Sequence, residues 1–167
     1  MKIRWMVCAM LGLILALPVQ AAEPLMTQPQ VEAKAAVVMD ALSGRVIFWQ
    51  EGDSTLPMAS TTKIMTTLLA LEQQGLDDPF VVDGEAIKIE GSSMGLREGD
   101  TVTLRSLCYG MMLASGNDAA NAAAVHCGGS IEDFVEDMNR RAHELGMKDT
   151  GFVTPSGLDE ECHQSTA

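Results

Sequence analysis

The sequence predicts an α/β fold of the segregated, α+β kind. Three features point to it: a β-hairpin pattern over residues 35–50, a strongly apolar helix that opens near Ser60, and further helix patterns from Leu104 to Gly146. At 167 residues the chain is long enough for one domain with a real core. Hydrophobic residues make up 47% and charged residues 20%, a globular balance that argues against disorder.

Residues 1–21 are expected to be an address. Lys2 and Arg4 precede an apolar run from Trp5 to Leu17, then Pro18 and the small-residue exit Val19-Gln20-Ala21. That is the pattern of a secretory signal peptide, cleaved after Ala21 to deliver the protein outside the cytoplasm. An uncleaved anchor is the alternative, but the run falls short of the roughly 20 apolar residues a spanning helix needs. Residues 22–34 carry Pro and Gln without periodicity and read as a linker.

The hairpin follows. Residues 35–40 and 45–50 are apolar or β-branched and flank Ala41-Leu42-Ser43-Gly44, where Gly44 is expected to supply a positive φ. Pro57 leads into a helix near Ser60 that closes before Gly75. Its Ile64, Leu68 and Leu71, beside Met65 and Leu69, form a wide apolar stripe. Residues 80–103 alternate short β-prone pieces with Gly84, Gly91, Gly95 and Gly99, and read as loops and small strands. A second helix begins at Leu104, with Leu107, Cys108, Met111 and Met112 expected inward, and ends at Ser115-Gly116-Asn117. Asp118 is placed to cap an alanine-rich helix that Gly128 and Gly129 stop. Ser130-x-x-Asp133 resembles a capping box for the next helix, with Phe134, Met138 and Leu145 on one face and Gly146 at its end. Residues 147–167 read as irregular.

Charge and composition narrow the partners. A net charge of −12 disfavours nucleic acid, whose phosphates need clustered Lys and Arg. At 4% aromatic residues, base-stacking surfaces and sugar platforms are both disfavoured. Cys8 lies in the expected signal, which leaves Cys108, Cys127 and Cys162, an odd count that cannot pair fully within one chain. Buried free thiols are the expectation, with a Cys108–Cys127 disulfide as the other possibility. No C-x-x-C occurs, and His126, His143 and His163 form no H-x-x-x-H, so no metal and no cofactor is expected.

The chemistry centres on Ser60-Thr61-Thr62-Lys63. Residues three apart on a helix share a face, so the Ser60 hydroxyl and the Lys63 amine can meet. A serine hydroxyl is a poor nucleophile until a neighbouring base accepts its proton. Lysine is that base only when neutral, and bringing its pKa near 7 takes about three units, or about 4 kcal/mol. Burial against an apolar stripe and the positive end of the helix dipole both disfavour the ammonium. Alone, S-x-x-K is a weak signal, since such a lysine is ordinarily solvated. Ser115-Gly116-Asn117 sits at a junction between helices, where a hydroxyl and an amide can be presented into a cleft; alone it reads equally as a turn with capping residues.

Together these features resemble the penicillin-binding D-Ala-D-Ala carboxypeptidases, relatives of the serine β-lactamases. The resemblance runs through Pro57-Met58-Ala59-Ser60-Thr61-Thr62-Lys63-Ile64-Met65-Thr66, Ser93-Met94-Gly95-Leu96-Arg97-Glu98-Gly99-Asp100, Met112-Leu113-Ala114-Ser115-Gly116-Asn117-Asp118-Ala119-Ala120, Thr150-Gly151-Phe152-Val153-Thr154-Pro155-Ser156-Gly157-Leu158 and His163-Gln164-Ser165-Thr166-Ala167. It implies a β-lactamase/transpeptidase-like sandwich, an antiparallel sheet flanked by helices. It also implies that Ser60 is the acylated nucleophile, Lys63 its general base, Ser115 a proton shuttle and Asn117 the contact to the substrate amide. The Ser60 N–H would be one oxyanion-hole donor. The implied substrate is a peptidoglycan stem peptide, with β-lactams as covalent inhibitors.

The family's third motif, Lys-Thr-Gly or Lys-Ser-Gly, is not in the chain; Thr150-Gly151 is preceded by Asp149, not lysine, and falls in the block leading to Phe152, so it is a decoy. Residues 35–167 are therefore expected to be a partial catalytic domain, incomplete at its C-terminus and inactive as it stands. Membrane association is expected only through the family's C-terminal segment. A serine β-lactamase and a non-catalytic β-lactam sensor or gene remnant are the alternatives. The first would need a deacylating E-x-x-L-N carboxylate, and the sequence shows none.

Overall fold

The computed structural model describes residue 29 and residues 31–158. The chain divides into residues 1–32 and 33–167, and every element below belongs to the second unit. The expected signal segment, and Cys162 and His163, lie outside the described residues.

Strand β1 (Ala36–Met39) pairs antiparallel with β2 (Val46–Gln50), Ala36 opposite Gln50 and Met39 opposite Val46. A bulge after Val38 shifts the register by one residue. Gly44 takes φ +69° as expected, and Asp40 ties the turn by accepting from the Ser43 N–H at 2.7 Å. Val38, Met39, Val46, Ile47 and Trp49 on this hairpin are all exposed.

A 3-10 turn at Ala59–Thr62 runs into α1 (Lys63–Leu71). The buried face of α1 matches the stripe expected from sequence only in part: Met65 and Leu69 are in the core and Leu68 packs against it. Ile64 and Leu71 are exposed, while Lys63, Met65, Thr66, Thr67, Leu69 and Ala70 are buried. The reason is that buried hydroxyls are tolerated when satisfied, and the Thr66 hydroxyl donates to the Pro155 carbonyl at 2.6 Å. Hydrophobicity alone cannot reveal that a partner carbonyl waits on the threonine side.

Short strands β3 (Phe80–Val81) and β4 (Thr101–Val102) pair antiparallel and lead into α2 (Leu104–Ala114). A reciprocal cap starts α2: the Thr103 hydroxyl accepts from the Ser106 N–H at 3.1 Å, and the Ser106 hydroxyl accepts from the Thr103 N–H at 3.0 Å. Leu104, Leu107, Cys108 and Met111 face inward, but Met112 is exposed. One step along a helix turns a side chain by about 100°, which carries Met112 off the face that Met111 occupies.

Helix α3 (Asn117–Gly128) is the centre of the fold. Each residue from Asn117 to Ala124 is buried, and α1, α2 and α4 (Ile131–Glu144) all pack on it. Alanines allow this, because interaxial distance follows the size of the side chains at the contact. Gly116, not Asp118, occupies the cap position, so Asp118 sits inside the first turn. Ser130 caps α4 by accepting from the Asp133 N–H at 3.0 Å. Phe134, Met138 and Ala142 form the buried face of α4 at a spacing of four, whereas Leu145 is the C-cap and half exposed. Its position one step past the last turn takes it off that face.

Two apolar clusters result. Val82, Leu104, Leu107 and Met111 meet the α3 alanines on one side, and Met65, Leu69, Phe134, Met138 and Phe152 meet Ala124 on the other. Cys108 and Cys127 are free thiols, and burial pushes the Cys127 thiol up to about 11. The described residues form helices with two small antiparallel sheets, the α+β content expected from sequence.

Candidate active site

Ser60 lies in the 3-10 turn, one residue after Ala59, whose φ is +47°. An alanine in the left-handed region stores about 1–2 kcal/mol of strain. Such strain concentrates where surrounding structure over-determines the backbone. Ser60 itself is exposed, and its N–H belongs to a first turn whose donors have no intrahelical acceptor.

Lys63 is the first residue of α1 and fully buried, at 0% exposure. Its Nζ stands 3.2 Å from Ser60 Oγ and donates to the Ser156 carbonyl at 2.6 Å. Burial pushes the Lys63 ammonium below the ordinary lysine range, and no carboxylate among the described residues opposes the shift. A neutral amine has two N–H bonds and one lone pair. With one N–H given to Ser156, the lone pair can turn toward the Ser60 hydroxyl.

The Ser156 carbonyl is held in place by the strap 154–158. Thr66 grips Pro155 one turn along α1 from Lys63, and the Gly157 N–H donates to the Thr154 hydroxyl at 3.1 Å. Gly157 has φ +77°, and a Cβ there would stand 1.9 Å from the Ala59 carbonyl oxygen. Only glycine lets the strap lie this close to the Ser60 turn.

A cleft of about 250 Å³ opens above Ser60, lined by Ala59, Ser60, Gly91, Ser92, Asn117, Ser156, Gly157 and Leu158. Asn117, the first residue of α3, has its backbone N–H on the Ser92 carbonyl and its side-chain NH₂ on the Glu90 carbonyl, both at 2.7 Å. Its amide oxygen is thereby the atom turned away from the 90–92 segment. The structure thus brings Ser60, Lys63 and Asn117 to one place. Ser115 is half buried at the C-cap of α2 in a left-handed conformation, φ +53°, and is not among the residues lining this cleft.

Sequence reasoning missed Ser156, whose contribution is a carbonyl that any residue could supply. Gly157 fell within the resemblance block that ends at Leu158 but was given no role, and for Gly91 and Ser92 the only signal was the glycine punctuation of residues 80–103. A larger, mostly apolar hollow of about 460 Å³ shares Leu158 with the cleft, but its lining holds no serine–lysine pair. Among the described residues, no group of three or more His, Cys, Asp or Glu is arranged to hold a metal ion, and no helix is long and apolar enough to cross a membrane.

Known proteins share this arrangement of sequence and backbone. The family described as D-alanyl-D-alanine carboxypeptidase matches residues 22–167. The D-alanyl-D-alanine carboxypeptidase DacF of Bacillus subtilis (strain 168) is 40% identical over 141 residues, covering 81% of this chain and 36% of DacF. DacC of Escherichia coli (strain K12), with the same description, is 39% identical over 158 residues, covering 88% of this chain and 40% of DacC. The crystal structure of a D-alanyl-D-alanine carboxypeptidase from Mycobacterium tuberculosis H37Rv superposes with a TM-score of 0.79 at 36% identity, over 83% of this chain and 53% of that one. The chain therefore spans well under two thirds of the length of these relatives. Coverage of nearly all of it by one family, at these identities and with the same fold, leads to one conclusion: the chain belongs to the D-alanyl-D-alanine carboxypeptidase family.

Proposed function

We propose that the protein is an exported serine D-Ala-D-Ala carboxypeptidase that trims the terminal D-Ala from peptidoglycan stem peptides through an acyl-enzyme. The observation that carries this reading is the fully buried Lys63 amine, 3.2 Å from Ser60 Oγ and oriented by Ser156. In the proposed reaction Lys63 takes the Ser60 proton as Oγ attacks the carbonyl of the penultimate D-Ala. The Ser60 N–H at the head of the turn stabilises the developing oxyanion. The C–N bond then breaks, the terminal D-Ala leaves with a proton, and water hydrolyses the ester on Ser60. Ser115 is proposed as the proton relay and Asn117 as the contact to the substrate amide. A β-lactam, mimicking the dipeptide, would acylate Ser60 in the same way. None of the described residues lining the cleft is a carboxylate.

The test uses the chain alone and the chain joined to the part of DacF beyond the matched region. Labelled penicillin should form a stable adduct, mapped to Ser60, and the joined protein should release D-Ala from a stem-peptide mimic. An adduct on another serine, or none in either protein, refutes the assignment. Fast turnover of the label would mark a lactamase, and a stable adduct without D-Ala release a sensor.

A further inference from the structure

The Asp118 carboxylate accepts five hydrogen bonds and forms no ion pair among the described residues. It is 3% exposed and occupies the first turn of α3, next to Asn117. One oxygen accepts the N–H groups of Met94 and Ala119, both at 2.9 Å. The other accepts the Ser93 hydroxyl at 2.6 Å and the N–H groups of Gly95 and Leu96 at 3.0 and 2.9 Å. Three consecutive N–H groups turned toward one point form a backbone nest, which a positive φ at Gly95 of +88° makes possible. Here the anion in the nest comes from the protein itself, and the helix N-terminus favours its charge further.

The segment so held is the wall of the cleft. Residues 90–95 are exposed and outside any helix or strand, and Gly91 and Ser92 line the cleft opposite Ser60. Their carbonyl neighbours are tied by Asn117, as described above, and the rest by Asp118. Two adjacent residues of one helix therefore position a loop with little apolar burial of its own. Exposed segments of that kind open locally unless polar anchors hold them. Gly91 completes the fit, since a Cβ there would stand 2.8 Å from the Asn117 amide nitrogen.

We propose that Asp118 is a positioning residue: its carboxylate clasps the 93–96 nest and so fixes the Gly91–Ser92 wall at the spacing from Ser60 that a bound peptide requires. Its effect falls on the affinity of the cleft and leaves the chemical step alone. The peptide part of this statement rests on the carboxypeptidase reading; the clasp does not. Asparagine is the discriminating replacement, because both carboxylate oxygens are used as acceptors. Either orientation of the introduced amide would turn its NH₂ toward donors.

In the full chain, Asp118→Asn should speed amide hydrogen exchange across 90–96 by about tenfold or more, the loss expected when hydrogen bonds to a buried charge are broken. Exchange in the core of α2, at Leu107 and Met111, should stay as in the wild type. With labelled penicillin, the dissociation constant before acylation should rise about tenfold while the acylation rate constant stays within about threefold. Ser93→Ala removes one donor without disturbing the buried charge, and should raise exchange of the same segment by a smaller factor. It carries the test if Asp118→Asn does not fold. Unchanged exchange at 90–96 in the folded variants overturns the clasp, and a fall in the rate constant at unchanged affinity overturns the positioning role. If neither the wild-type chain nor the joined protein takes label, the carboxypeptidase reading is refuted, while the exchange comparison still decides the clasp.

Discussion

Replacing Gly157 by alanine should detach the strap 154–158 from the Ser60 turn. The added Cβ would stand 1.9 Å from the Ala59 oxygen, 2.6 Å from its carbonyl carbon and 2.7 Å from the Thr62 hydroxyl, whereas ordinary contact begins near 3.4 Å. Strap and turn must therefore separate by more than an ångström. The bonds from Lys63 to Ser156 and from Thr66 to Pro155, each 2.6 Å, do not survive such a displacement. Left-handed strain costs about 1–2 kcal/mol and overpacking about 1–3, so the total is about 2–5 kcal/mol. Gly129→Ala supplies the control: Gly129 has φ +83° with open space around it, so only the strain remains. Urea unfolding should show a midpoint for Gly157→Ala well below that of Gly129→Ala at a similar m value. Penicillin labelling of Ser60 should fall at least about tenfold, since Lys63 loses the carbonyl that orients it. Equal midpoints for the two variants, with wild-type labelling in Gly157→Ala, would refute the reasoning.

Further outcomes are expected. Lys63→Met should abolish labelling while keeping the buried volume, and the wild-type labelling rate should rise with pH as Lys63 deprotonates, with an inflection below the ordinary lysine value because burial disfavours the ammonium. The same shift makes stability rise with pH between the lowered folded value and 10.5, where only the unfolded chain still holds the proton, and Lys63→Met should lose that slope. Ala59→Gly relieves the left-handed strain at the cost of unfolded-state entropy, so thermal unfolding should show a gain of about 1 kcal/mol or less. Expressed with its natural start, the protein should leave the cytoplasm beginning at Ala22; an intact Met1 on cytoplasmic protein would refute export.

Local rules carried far in this protein. The Gly44 turn, the start of α2 at Leu104 and the Ser130 cap follow from residues within a few positions of each other, as do the glycine-stopped end of α3 and the Ser60–Lys63 face. Each depends on backbone geometry that neighbouring residues dictate. What the sequence could not determine depends on groups brought from far along the chain. The buried side of α1 is its threonine side because Pro155, 89 positions away, offers a carbonyl to Thr66. Lys63 is oriented by the backbone of Ser156, 93 positions away, and a carbonyl leaves no trace in residue identity. Asp118 looked like a helix cap, and its carboxylate instead serves a loop 22–25 positions upstream. Patterning decides which residues become helix or strand; only the folded chain decides which buried polar atom meets which, because that pairing is a matter of distance in space and not along the sequence.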